Sequence, residues 1–137
     1  MLYSSETTLE VRYYETDQMG IVHHSNYIRY FEYGRTKLME EAGMPITKIE
    51  EMGVELPVVT VECKYILPAK MGDTLKIVSK VEKEPTARIE IFTDIYNQKG
   101  EHLCTGKVVL GFLSKERHRP VRVPEYFLNA LLASNNL

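Results

Sequence analysis

An acid, a glycine and two adjacent histidines fall close together in ETDQMGIVHHSNY (15–27): Asp17, Gly20, His23 and His24. A carboxylate can attack a carbonyl as a nucleophile, or take a proton from water as a general base. Either route works best where donors hold the carbonyl oxygen. Helix N-termini supply such donors through unpaired N–H groups and partial positive charge. From Asn26 the apolar pattern becomes helical, so Asp17 lies a few residues before a helix start. Met19, Ile21 and Val22 would keep the place dry, which strengthens every electrostatic interaction there. Gly20 allows a tight turn or a close backbone approach to a ligand. Together these parts suit acyl transfer to water.

Each residue also has a plainer use. Asp17 fits a turn or a helix cap. His23 and His24 fit polar loop positions. As neighbours on an extended segment they point to opposite sides, and no third metal ligand is regularly spaced to them. Glu32 and Arg35 have the spacing of a helix-surface ion pair, with a buried partnership as the alternative. Tyr27, Tyr30 and Tyr33 serve packing, substrate contact or both.

The elements that must position this segment are legible in outline. Residues 7–14 (TTLEVRYY) read as a strand, rich in β-branched and aromatic side chains. Tyr27, Phe31, Gly34, Leu38 and Ala42 recur at three- and four-residue steps and predict a helix from about Ser25 to Ala42. Gly43 suits the position just past its end, and Pro45 blocks continuation. Period-two runs follow. One carries Val59, Val61, Cys63, Tyr65 and Leu67. The next carries Leu75, Ile77 and Val81. A third carries Ala87, Ile89, Ile91 and Ile95. A fourth covers residues 102–113 and is apolar on both faces around Val108 to Phe112. Turn signals at 67–73, 84–86 and 97–100 make the connections short and favour antiparallel neighbours. Residues 123–132 read as a short terminal helix with Pro124 in its first turn.

The expected fold class is therefore α+β, in one domain spanning 1–137, with an antiparallel sheet of about five strands curled around one long central helix. The doubly apolar run at Val108 to Phe112 predicts a sheet buried on both sides and, with it, a homo-oligomer.

Composition narrows the function classes. At 137 residues the chain can bury a core without metal or disulfide help. A net charge of −2 gives no basic field for nucleic acid. No apolar run approaches the roughly 18 residues of a membrane span, and the start MLYSSETTLEV lacks a signal-peptide layout, so a cytoplasmic location is expected. Cys63 and Cys104 read as reduced, buried thiols, outside any zinc-like cluster. Lys115, Arg117, His118, Arg119 and Arg122 form a basic cluster that fits either a solvated segment or contacts to ligand phosphates.

One resemblance is specific. Residues 12–43 (RYYETDQMGIVHHSNYIRYFEYGRTKLMEEAG), about a quarter of the chain, resemble the hotdog-fold acyl-CoA thioesterases of the YbgC / 4-hydroxybenzoyl-CoA thioesterase group. The matching positions are Asp17, Gly20, Ile21, Val22, His23, His24, Asn26, Tyr27, Phe31, Glu32 and Arg35. The order of strand, helix and later strands fits that fold over nearly the whole chain, and RPVRVPE (119–125) looks like the family's usual ending.

The resemblance implies Asp17 as the catalytic carboxylate and the His24 backbone N–H as the group that polarises the thioester carbonyl. It also implies the His24 side chain and Tyr13 as further catalytic-site groups, and Gly20, Ile21, Val22, His23, Asn26 and Tyr27 as substrate contacts. The branch commonly has Tyr where this chain has His23. The implied reaction is acyl-CoA plus water giving free acid and CoA. No metal or organic cofactor is implied, and the sites lie at a subunit interface of a homodimer or homotetramer. Two other functions fit the same fold: a hydratase or dehydratase acting on enoyl thioesters, and a non-catalytic module binding acyl thioesters or acyl-carrier protein.

Overall fold

The computed structural model describes residues 2–134. The predicted helix forms as α1, Asn26–Glu41. Its apolar stripe is shut away from solvent: Tyr27, Tyr30, Phe31, Leu38 and Met39 are all buried. The end follows from backbone chemistry. Gly43 takes φ +81°. Its N–H donates to the Glu40 carbonyl, and the Met44 N–H donates to the Met39 carbonyl, 2.9 Å away. That pair of bonds is the Schellman arrangement, which satisfies carbonyls the helix leaves open. Pro45 then caps a short helix α2, Ile46–Glu51.

The remaining elements are β1 (Tyr3–Glu10), β2 (Val54–Glu55), β3 (Val58–Tyr65), β4 (Thr74–Val81), β5 (Arg88–Tyr96), β6 (His102–Gly111), β7 (Leu113–Ser114), β8 (Arg119–Pro120) and α3 (Glu125–Ala133). Five of the strands form one sheet in the order β1-β4-β5-β6-β3. Every neighbouring pair is antiparallel. α1 touches all five strands, so the sheet wraps around it. The period-two faces deliver the core: Leu75, Ile77 and Val81 from β4, and Ile89, Ile91 and Ile95 from β5, are each buried. Among the described residues no helix is long and apolar enough to cross a membrane.

The structure corrects several expectations. The first strand runs over Tyr3–Glu10 rather than 7–14, and Tyr13–Glu15 forms a 3-10 turn instead. The Arg12 N–H donates to the Glu15 carboxylate at 2.8 Å, which bends the chain where residue types alone favour a strand. Pro124 caps α3 rather than lying inside it. α2 and a small sheet of order β2-β7-β8 carry no signal in the sequence pattern. Val108, Val109, Leu110 and Phe112 are buried within this one chain, and Phe112 packs edge-on against Phe127 of α3 with ring centres 5.6 Å apart. The apolar strand left open is β3, whose residues are exposed or only partly covered. Cys63 and Cys104 are free thiols with sulfurs 3.4 Å apart, brought together by the β3–β6 register. Glu32 and Arg35 do approach, at 3.9 Å, with the Arg35 side chain mostly covered. Burial lowers the Arg35 pKa from its ordinary value.

Two glycines set how closely helix and sheet approach. A Cβ at Gly106 of β6 would run into the Phe31 ring. A Cβ at Gly34 of α1 would meet Ser79 Oγ at 2.6 Å and Ile77 Cγ2 at 2.7 Å. Gly34→Ala therefore forces α1 off β4 and should lower unfolding free energy by about 1–3 kcal/mol. Urea titration should show that loss, with Glu40→Ala on the exposed face changing stability by no more than about 0.5 kcal/mol.

Candidate active site

Between β1 and α1 the chain makes a closed loop. Thr16 and Val22 pair across it as an isolated bridge, and Ile21 pairs likewise with Lys70. The Asp17 N–H donates to the Ile21 carbonyl at 2.9 Å, and the Gly20 N–H donates back to the Asp17 carbonyl at 3.0 Å. Gly20 sits at φ +76°, a conformation that a side chain would strain. Asp17 Oδ1 accepts the Met19 N–H at 2.8 Å. Asp17 thus completes an Asx turn, as its plainer reading expected. Its Oδ2 carries no hydrogen bond among the described residues.

A second segment closes against this loop. The Val22 N–H donates to the Ala69 carbonyl at 2.8 Å. The Ala69 N–H donates to Tyr27 Oη at 3.0 Å. Burial raises the Tyr27 phenol above its ordinary pKa. Tyr65, the last residue of β3, donates its hydroxyl to the His24 carbonyl at 3.1 Å and meets the Tyr27 ring edge-on at 5.1 Å. Desolvation, followed by the neighbouring Cys63, pushes the Tyr65 phenol up to about 12, so it remains a donor at neutral pH.

Between the two segments lies a cavity of about 440 Å³, lined by Asp17, Met19, Ile21, Val22, His24, Tyr27 and residues 65–68. Its walls are mostly apolar. Its chemical groups are the Asp17 carboxylate, the His24 ring and two tyrosine hydroxyls. The His24 N–H, at the entry to α1, has no acceptor among the described residues. An unpaired N–H beside a helix start can polarise a carbonyl oxygen, and a carboxylate lining the same cavity can attack or deprotonate a nucleophile. Contrary to the expectation from sequence, the walls do not keep the place dry in one chain: Met19 is 77% exposed and Leu67 44%.

Of the residues singled out from sequence, the cavity brings together Asp17, Ile21, Val22, His24 and Tyr27. Four others lie outside its lining. Gly20 shapes the turn. His23 holds Ser25 Oγ at 2.8 Å through Nδ1 and packs its ring on His24. Asn26 is buried and donates to the Glu15 carbonyl at 2.9 Å. Tyr13 is 80% exposed in the 3-10 turn. The sequence reading had not assigned Tyr65 to Pro68 to the site, because only the fold brings them across from Asp17. Glu15 was missed too: its carboxylate is buried and accepts the Tyr30 hydroxyl at 3.0 Å. Burial, with Glu15 beside it, holds the Tyr30 phenol well above its ordinary pKa. None of the basic cluster at 115–122 lines the cavity; it runs through the exposed β7–β8 hairpin, where His118 takes φ +52°, to Arg122 just after it.

The sequence model of the thioesterase-like superfamily matches residues 11–131. The chain belongs to that family. Thioester hydrolysis is the activity that membership of the thioesterase-like superfamily brings. Its relatives include YneP of Bacillus subtilis, an acyl-CoA thioesterase candidate, 33% identical over 134 residues that cover 92% of this chain and 91% of YneP. A DHNA-CoA thioesterase from Staphylococcus aureus superposes with a TM-score of 0.85 at 31% identity, over 92% of this chain and 85% of its own. The protein TT1821 from Thermus thermophilus superposes at 0.88 and 31% identity, over 96% and 99%. The sheet wrapped on one helix is thus the hotdog fold of this thioesterase family.

The hydrogen bonds across the cavity set a stability order. Tyr27→Phe leaves the buried Ala69 N–H without its acceptor and should cost about 1–3 kcal/mol. Tyr65→Phe should cost less, because the His24 carbonyl keeps the Tyr27 N–H. Thermal or urea unfolding of the two variants side by side checks that order.

Proposed function

We propose that this thioesterase hydrolyses acyl-CoA to free acid and CoA in the cavity between the 16–24 loop and residues 65–68. The observation that carries the reading is that Asp17 and His24, whose N–H has no acceptor among the described residues, both line one mostly apolar cavity. The acyl chain lies along Met19, Ile21, Val22, Ile66 and Leu67. The thioester oxygen takes the His24 N–H. Asp17 then attacks the carbonyl carbon itself or deprotonates the water that does. In either case the C–S bond breaks, the thiolate leaves and takes a proton, and water supplies the oxygen of the new acid. The His24 ring and Tyr13 belong to the same proposal as groups that orient water and thioester, with Gly20, His23 and Asn26 around them. CoA is the favoured thiol because relatives bear CoA thioesterase names. A cytoplasmic site of action fits CoA chemistry.

The same reading includes a second copy of the chain. β3 is an edge strand with Val58 50%, Val59 41% and Tyr65 49% exposed. A long apolar edge invites uncontrolled pairing unless it is covered. A two-fold partner over β3 covers it and closes the cavity end near Tyr65.

Thiol release from a panel of acyl-CoAs, acetyl to palmitoyl plus benzoyl, tests the chemistry. Asp17→Asn should lower kcat by roughly 10²–10⁴-fold with folding unchanged. Full activity in that variant, or no turnover by the wild type, would sink the assignment. Light scattering should give at least twice the mass of one chain. Val61→Lys should shift that mass downward and lower activity with it.

A further inference from the structure

Glu15 is 6% exposed and bears a carboxylate. A buried carboxylate is costly unless its oxygens are used, and here they are. Oε1 accepts the Arg12 N–H at 2.8 Å and the Tyr30 hydroxyl at 3.0 Å. The Arg12 guanidinium stands 3.9 Å from Oε2. The main chain of the same residue does a second job. Its carbonyl accepts the His23 N–H at 2.9 Å and the Asn26 side-chain amide at 2.9 Å. One residue therefore ties together the 3-10 turn, the far end of the loop and the first two turns of α1.

A simple turn cap needs only the Arg12 bond. The other three bonds reach residues 23, 26 and 30, across the loop that carries Asp17 and into the helix start beside His24. Asp17 lies two residues after Glu15, and His24 follows immediately after the clasped His23. We propose that Glu15 is a positioning residue: with Asn26 and Tyr30 it clasps the base of the loop, so that Asp17 and the His24 N–H address one thioester carbonyl. The inference rests on the thioesterase reading and adds to it the group that fixes the geometry. Hydrogen bonding, not charge, carries the role. The Tyr30 hydroxyl and Arg12 N–H both need only one acceptor oxygen, and a glutamine supplies it.

Four variants test this at a temperature well below unfolding, with the folded fraction measured by circular dichroism. Misplacement of reacting groups by about 1 Å costs on the order of 10²-fold. Glu15→Ala should thus lower kcat by tenfold to a hundredfold, with KM for the best acyl-CoA little changed. Tyr30→Phe and Asn26→Ala should lower kcat by about tenfold. Glu15→Gln should restore kcat to within about twofold of wild type, with the pH profile of kcat/KM in place. Amide hydrogen exchange reads the clasp without substrate: the His23 amide should be protected in the wild type and faster in Asn26→Ala. Wild-type kcat in both Glu15→Ala and Tyr30→Phe, with the variants folded, overturns the positioning role alone. So does a Glu15→Gln loss as large as that of Glu15→Ala, since charge would then matter. No turnover of any acyl-CoA by the wild type, with the His23 amide protected, instead sinks the thioesterase reading and the role built on it.

Discussion

One helix must be buried along its side and open at its start. That constraint governs the rest of the structure. α1 can lie inside a curled sheet only because Gly34 and Gly106 remove the side chains that would hold it away. Close approach lets Phe31 and Leu38 reach zero exposure. Dispersion contacts of that density make the helix position well defined. The same burial stops short at His24, where the N–H finds no partner among the described residues. A rigid helix is a fixed source of positive potential at its start, and the His24 N–H stands just ahead of that end. The loop then needs only to bring an acid to it.

The two walls of the cavity differ in kind. The wall with Asp17 and His24 is local, built from one loop and one helix start, and is internally hydrogen-bonded. The wall at residues 65–68 leaves the end of edge strand β3 and is joined to the first wall chiefly through Ala69, Tyr27 and Tyr65. Apolar substitutions at Ile66 and Leu67 can therefore reshape the space for an acyl chain without touching the bonds that hold Asp17. Separate walls for chemistry and for fit are what allow one fold to serve several acyl groups.

Legibility in the sequence followed the range of the interactions. α1 could be read to within a residue, because its stripe repeats every three or four positions and Gly43 and Pro45 give backbone reasons to stop. β4 and β5 could be read because each buries one face. That Asp17 and His24 come to one cavity could be read because their relation is local and the family pattern spans it. The turn at Tyr13 to Glu15 could not, since Val11 to Tyr14 have strand-forming residue types and a single Glu15 side chain reverses that preference. β2, β7 and β8 are two residues long and too short to show a period. Tyr65 and the Cys63–Cys104 approach depend on the β3–β6 register, which residue types do not encode locally. Glu15 carries no local signal of its own, and only its packing against Tyr30 gives it weight.

The sheet order also constrains synthesis. β1 pairs with β4 in the register Tyr3↔Val81, and the loop behind Asp17 is pinned by Ala69. A chain emerging from the ribosome therefore carries its first strand without a neighbour until Val81 is out. Loop-closure entropy over that span opposes early docking, so the first strand and the Asp17 loop settle late. During that interval the apolar residues of α1 have no complete sheet to bury them, and exposed apolar surface of that kind is prone to self-association.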